Sequence, residues 1–264
     1  MATDRGGDAR RLSQGPGEAL SGAMARPLTK MTVTGGAGFI GSAVVRLLLD
    51  SGYEVDVVDY LSLGYRHLVD DRARLFESSL AGDEWDDALD GSIAVMHLAA
   101  SSVIKFSYTD PLGYVENNVV NGYRLVDKMR RHGVLQMIFS SSASAYGEPI
   151  SVPIPESAQT DPNQIYGATK LACETLLRAS WHAFGLNSAS LRYFNAYGPG
   201  DLHQPQRARC PCGSRLRSRI NRSRCIGPGG STAIMFMSTT LPGRTRWRWA
   251  GQDARSSMSA QATR

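Results

Sequence analysis

As far as about residue 200, short apolar runs alternate with longer amphipathic ones. Runs near 31–34, 54–59, 73–76, 93–98, 135–140 and 188–193 are too short for helices and read as strands. Stretches near 39–51, 82–90, 111–131 and 164–184 repeat apolar residues at three- and four-residue spacing, the helical period. Strand–helix alternation builds a parallel sheet with helices on both faces, so the expected fold class is α/β, a doubly wound parallel sheet. Two helices carry more apolar positions than one buried stripe needs: Tyr114, Val115, Val119, Val120, Leu125 and Val126, and then Leu171, Leu176, Leu177 and Trp181. Read from the residues alone, that excess is met by deep burial in the monomer.

Chemistry enters at the first strand–helix junction. Thr34-Gly35-Gly36-Ala37-Gly38-Phe39-Ile40-Gly41 follows an apolar run and precedes a helix. Two spacings overlap. Gly36, Gly38 and Gly41 form G-x-G-x-x-G, and Gly35, Gly38 and Gly41 form G-x-x-G-x-x-G. The first glycine permits a tight turn, the middle one lets a pyrophosphate approach the backbone, and the last lets helix pack on strand. The helix N-terminus adds free N–H groups and the positive end of its dipole. A second strand, Tyr53–Val58, ends in Asp59, 18 residues beyond Gly41, where a ribose-binding carboxylate belongs.

A second constellation points to catalysis. Tyr166 and Lys170 in YGATK sit four apart on one helical face. A cationic lysine favours the phenolate and turns tyrosine into a base usable near neutral pH. Ser142, at a strand end 24 residues before Tyr166, offers a hydroxyl. Glycine loop, acid, serine strand end and Y-x-x-x-K in this order are far more specific together than any one of them.

With these motifs the chain resembles the extended short-chain dehydrogenase/reductase family, in particular its NAD-dependent nucleotide-sugar epimerases, typified by UDP-glucose 4-epimerase. The resemblance covers roughly residues 30–201, through TGGAGFIGS, VVDYLSLG, HLAA (His97–Ala100), P-x-x-Y-x-x-N-N-V (Pro111–Val119), FSSSASAYGE (Phe139–Glu148), YGATK and LRYFNAYGPG (Leu191–Gly200). It implies a Rossmann domain over 26–201 with NAD as cofactor. By resemblance the catalytic group is Ser142, Tyr166 and Lys170. The cofactor is held by Gly35, Gly38, Phe39, Ile40, Gly41, Asp59, Ala99, Asn118, Tyr166 and Lys170. The sugar nucleotide, a UDP-hexose, is contacted by Ser142, Tyr166 and Asn195. The two apolar helices make the family's homodimer. One departure is visible: Ser79 stands where relatives usually carry an Asp that contacts adenine, which predicts weaker adenine binding.

The serine strand end also bears on the reaction. The resembling dehydratases carry an Asp-Glu pair after the active hydroxyl, and decarboxylases commonly place an acid in the same stretch. Ala143 and Ser144 follow Ser142 here, so no extra acid is supplied. Epimerisation at sugar carbon 4 needs none, and is the expected reaction. Asp59 favours NAD over NADP, since a carboxylate repels a 2′-phosphate. Another sugar-nucleotide dehydratase, decarboxylase or reductase, or an NAD-binding remnant without catalysis, are the alternatives.

Charge divides the chain. Residues 202–264 hold twelve Arg, no Lys and one acid, Asp253, a formal +11 that leaves −6 for the rest of a chain of net +5. A basic tail can serve nucleic acid, but this one shows neither helical nor strand period, and Cys210, Cys212 and Cys225 lack a fourth ligand at finger-like spacing. Its composition matches GC-rich DNA read in the wrong frame. Codons rebuilt one frame over force valine at Met235–Phe236 and glycine at Trp249–Ala250, and permit RDYVHVDDVARAHAMAMG across Thr232–Ala250, a strand of the epimerase family. The expectation is a frameshift near Gln204–Arg207, with the substrate domain replaced by an unrelated, disordered Arg-rich tail, no nucleic-acid partner and a chain inactive as it stands. Residues 1–25, without a signal-peptide core, read as a disordered extension. No stretch is long enough to span a membrane, no metal site is expected, and nothing in 26–201 demands an oxidising compartment, so the expected location is cytoplasmic.

Overall fold

The fold is that of a computed structural model, described for residues 30–151, 153–194, 196 and 236–240. Asn195, the extension 1–25 and most of the Arg-rich segment lie outside the described residues. The strands are β1 (Lys30–Thr34), β2 (Glu54–Val58), β3 (Arg74–Phe76), β4 (Ser92–His97), β5 (Gln136–Ser142), β6 (Asn187–Tyr193) and β7 (Phe236–Thr240). They form one sheet in the order β3-β2-β1-β4-β5-β6-β7. β1 to β6 run parallel. The helices are α1 (Phe39–Asp50), α2 (Ile104–Ser107), α3 (Pro111–Val115), α4 (Asn121–Arg131) and α5 (Ile165–Phe184).

Both faces of the sheet are buried, as its apolar strands demand. Neighbouring residues on one strand enter different cores: Val57, Met96 and Ile138 pack on the α1 side with Val33, Val44 and Val45. Val58, Val95, Met137 and Phe139 pack on the other with Trp85, Leu125, Met129 and Leu177. The strand order reverses direction between β1 and β4, which opens a crevice at the carboxyl ends of those strands.

Three details differ from the pattern reading. The expected helix at 82–90 is a single 3-10 turn, Asp86–Ala88. Trp85 and Leu89 are buried there at helical spacing, but glycines at 82 and 91 and the indole bond from Trp85 Nε1 to the Ser79 carbonyl (3.0 Å) shorten the segment to a turn. The expected helix at 111–131 is interrupted by a π turn, Glu116–Val120, between α3 and α4. The extra residue of such a turn frees a carbonyl, and the Cys173 thiol donates to the carbonyl of Asn118 at 3.1 Å. The third difference lies in the Arg-rich segment, which shows no strand period and in which no element is expected. Phe236–Thr240 pairs antiparallel along β6. Its Phe, Met and Thr residues favour extended backbone, and an unpaired strand edge accepts such a run.

Candidate active site

Sites in open parallel sheets form where strands end, and the predicted residues follow strand ends. Gly35 comes straight after β1, Asp59 after β2, Ala99 two residues after β4, and Ser142 closes β5. Gly35 has φ +74°, and a Cβ there would lie 2.5 Å from the Ala99 amide nitrogen. The turn glycine is therefore Gly35, and G-x-x-G-x-x-G is the spacing the fold uses. Gly36 instead packs on the Val57 side chain. A Cβ on Gly41 would be driven into the Gly35 carbonyl oxygen, whereas one on Gly38 would meet only that oxygen, at 3.3 Å. Of the three, Gly38 is thus the least crowded, with the one Gly35 oxygen beside its Cβ position. It is also the N-cap of α1 with no side-chain cap, so the first-turn N–H groups of Phe39, Ile40 and Gly41 are offered at the helix end.

Asp59 is fastened to this loop. Its Oδ2 accepts from the Ala37 amide (3.0 Å) and its Oδ1 from the Leu61 amide (2.8 Å). Burial pushes its carboxyl above the ordinary carboxylate range, against both amide bonds. Leu61 has φ +60°, the one non-glycine residue with positive φ among those described. Such strain persists only where neighbours over-determine it, and here the Asp59 carboxylate holds its amide.

Asn118 is a strut. Its side-chain amide donates to the Ser101 carbonyl (3.0 Å) and to Thr169 Oγ1 (3.1 Å), and its carbonyl oxygen accepts from the Ser101 amide (2.8 Å). It ties the loop after β4 to α5, and so sets where Ala99 and the first turns of α5 lie.

Ser142 Oγ accepts from the Ser144 amide at 3.2 Å and starts the 3-10 turn Ala143–Tyr146. The first turn of α5 is pressed onto this turn, because Gly167 has no Cβ to strike the Ser144 carbonyl. That contact sets the turn of α5 that carries Tyr166 against the 3-10 turn that Ser142 opens. One turn on, Lys170 is buried with its Nζ 4.9 Å from the Phe139 ring and 5.9 Å from that of Tyr166. Burial pulls the Lys170 ammonium down to about 8. His97 at the end of β4 is buried, accepts or shares a proton with Thr34 Oγ1 at 2.7 Å and stacks on Phe139. Burial and then the Lys170 charge push it down to about 3, so it is neutral.

Motif reading missed the groups behind this pair. Glu174 accepts from Arg192 Nε (2.9 Å) and Nη2 (2.6 Å), both side chains being at most 5% exposed, and from Ser141 Oγ. The Arg192 guanidinium lies 4.5 Å from the Tyr146 ring. The available signal was spacing: Tyr166, Lys170 and Glu174 recur every four residues, a charged stripe on a helix expected to bury that face. Among the described residues no cluster of His, Cys, Asp and Glu could hold a metal, and no helix is long and apolar enough to cross a membrane.

Fold and site together define a Rossmann-type dinucleotide domain with a Ser/Tyr/Lys group at its strand ends. The chain belongs to the NAD dependent epimerase/dehydratase family, whose model matches residues 31–232. It is 43% identical over 171 residues to a UDP-glucose 4-epimerase of Corynebacterium glutamicum, covering 64% of this chain and 52% of that protein. A UDP-N-acetylglucosamine 4-epimerase from Methanobrevibacter ruminantium, solved with UDP-N-acetylmuramic acid, superposes with TM-score 0.64 at 33% identity over 67% of this chain and 59% of its own. A Brucella ovis UDP-glucose 4-epimerase solved with NAD gives 0.62 at 38% identity, over 64% and 53%. The chain spans about half the length of the curated relatives it matches.

Proposed function

We propose that this chain carries the NAD-binding and acid–base half of a nucleotide-sugar 4-epimerase of the UDP-glucose/UDP-galactose type. The observation that supports the reading is the packing of the first turn of α5 on the turn that Ser142 opens, with the Lys170 ammonium 5.9 Å from the Tyr166 ring, at the same carboxyl end of the strands as the glycine loop. The residues suit the cofactor: Gly38 has few protein neighbours on the side where a pyrophosphate would lie, the free N–H groups of Phe39, Ile40 and Gly41 would donate to it, and the Asp59 carboxylate would accept from a ribose diol. NAD, when bound, supplies a hydride acceptor and donor for sugar carbon 4. Tyr166, as phenolate beside the Lys170 ammonium, takes the proton of the carbon-4 hydroxyl and later returns it. Ser142 orients that oxygen, and Asn118 fixes the Ala99–Ser101 loop along the cofactor. Asn195, outside the described residues, is assigned to the sugar nucleotide by resemblance.

We further infer that the Arg-rich segment is the frameshift product described above and that the chain binds NAD without turning substrate over. A homodimer of the intact enzyme would use Leu112, Val115, Val120 and Tyr123, which stand exposed along α3–α4. Titration of the full chain with NAD and NADP tests the cofactor half. NAD is expected to bind in preference, and Asp59→Ala to weaken it about tenfold, the scale of one lost hydrogen-bonded charge. A chain that binds neither dinucleotide, or an Asp59→Ala variant that binds NAD unchanged, overturns the reading.

A further inference from the structure

We propose that Glu174 is the positioning residue of the acid–base pair: its carboxylate, fixed by Arg192 from β6 and Ser141 from β5, keeps the buried Lys170 in the ammonium form that lets Tyr166 act as a base. The proposal rests on the reading of Tyr166 and Lys170 given above.

Geometry comes first. Tyr166, Lys170 and Glu174 lie one turn apart on α5, so the carboxylate follows the ammonium along one face. It cannot swing away. Two guanidinium nitrogens and the Ser141 hydroxyl hold it, and Arg192 is itself stacked on Tyr146. Ser141 adjoins Ser142, so one carboxylate joins the serine strand to the tyrosine helix. Three elements, β5, β6 and α5, meet at this one group.

Charge gives the clamp a second consequence. The groups that face Lys170 are Tyr166, Cys173 and Glu174 on α5 and His97 on β4, with Arg192 beyond Glu174 on β6. His97 is neutral, for the reason given above. Burial pushes the Cys173 thiol up to about 11, so it carries no charge at neutral pH. Glu174 is then the anion that favours the ammonium. Burial has already brought Lys170 to about 8, a narrow margin above neutral. Loss of one facing carboxylate is enough to tip a buried lysine to its neutral form, and a neutral lysine no longer stabilises the phenolate.

The test is a pH titration of tyrosinate absorbance in the full chain without added ligand, with Tyr166→Phe subtracted to isolate Tyr166. In the unsubstituted chain the midpoint is expected below the ordinary tyrosine value of about 10. Glu174→Gln is expected to raise it by about one pH unit, the size of a single neighbouring charge, while Glu174→Asp stays close to the original. Ser141→Ala removes one hydrogen bond and no charge, and is expected to leave the midpoint in place. Should the unpaired guanidinium unfold Glu174→Gln, the doubly neutral Glu174→Gln/Arg192→Gln chain is expected to shift upward as well. A folded carboxylate-free chain with an unmoved midpoint overturns the proposal, and so does a Ser141→Ala shift as large as that of Glu174→Gln. A Tyr166 that titrates at the ordinary value in the unsubstituted chain refutes the acid–base reading itself, a separate outcome.

Discussion

At the β1–β2 end the site is made of backbone, and at the β5–α5 end it is made of buried charge. Gly35, Gly38 and Gly41 shape the first end by what they lack: a Cβ on Gly35 or Gly41 collides with Ala99 or with the Gly35 carbonyl. Asp59 then pins the loop through two amide bonds. The second end holds Lys170, Glu174 and Arg192, all nearly out of reach of water. A glycine loop fails by overpacking, which costs a bounded amount and stays local. A buried charge fails when its partner is taken away, and the cost is larger because nothing solvates what remains. The two ends of one site should therefore differ in how they break.

The largest effect is expected at the charged end. Arg192→Leu strands the Glu174 carboxylate in the core and should cost about 3–5 kcal/mol, read as a lowered denaturant midpoint. Glu174→Leu/Arg192→Leu removes both charges and should recover most of that loss. If the two variants are equally unstable, burial of apolar surface rather than charge governs this end.

At the glycine end, Gly41→Ala should cost about 1–3 kcal/mol by overpacking and abolish NAD binding. Gly38→Ala should cost much less, because its methyl meets one backbone oxygen at 3.3 Å, yet bind NAD poorly if that side takes the pyrophosphate as proposed. Equal stability loss in both would erase the distinction drawn between the packing glycine and the ligand glycine.

A smaller effect separates the ends by pH. His97 titrates near 6.5 in an unfolded chain but near 3 when buried. The unfolded state therefore binds the extra proton, and this contribution is complete above about pH 6.5 and is lost as the pH falls toward 3. At about pH 5.5 the chain should be about 1 kcal/mol less stable than at pH 7 on this account. His97→Gln should remove that part of the acid sensitivity.

The same contrast explains what could be read from the residues alone. Glycine spacing is a steric demand met within eight consecutive residues, and Asp59 follows at a distance fixed by one helix and one strand, so both were legible. Even there, the choice between Gly35 and Gly36 as the turn residue needed the fold, because only the approach of Ala99 and Val57 decides it. Tyr166 and Lys170 were legible as neighbours on a helix. Asn118 was legible as a site residue but not as a strut, because its partners Ser101 and Thr169 are 17 and 51 residues away. The Glu174–Arg192 clamp joins α5 to β6: the four-residue spacing from Lys170 marks the acid, but nothing local marks the arginine 18 residues on that holds it. The turn at 82–90 was misread because two helically spaced apolar residues, Trp85 and Leu89, suffice for burial without a full helix.

Tyr166 as the base is the central claim, and turnover tests it most directly. UDP-glucose/UDP-galactose interconversion is to be compared between Tyr166 and Tyr166→Phe in the chain continued in the frame that encodes RDYVHVDDVARAH. A loss of about 10²–10⁴-fold with NAD still bound is the predicted result. Near-normal turnover without the phenol would contradict the account.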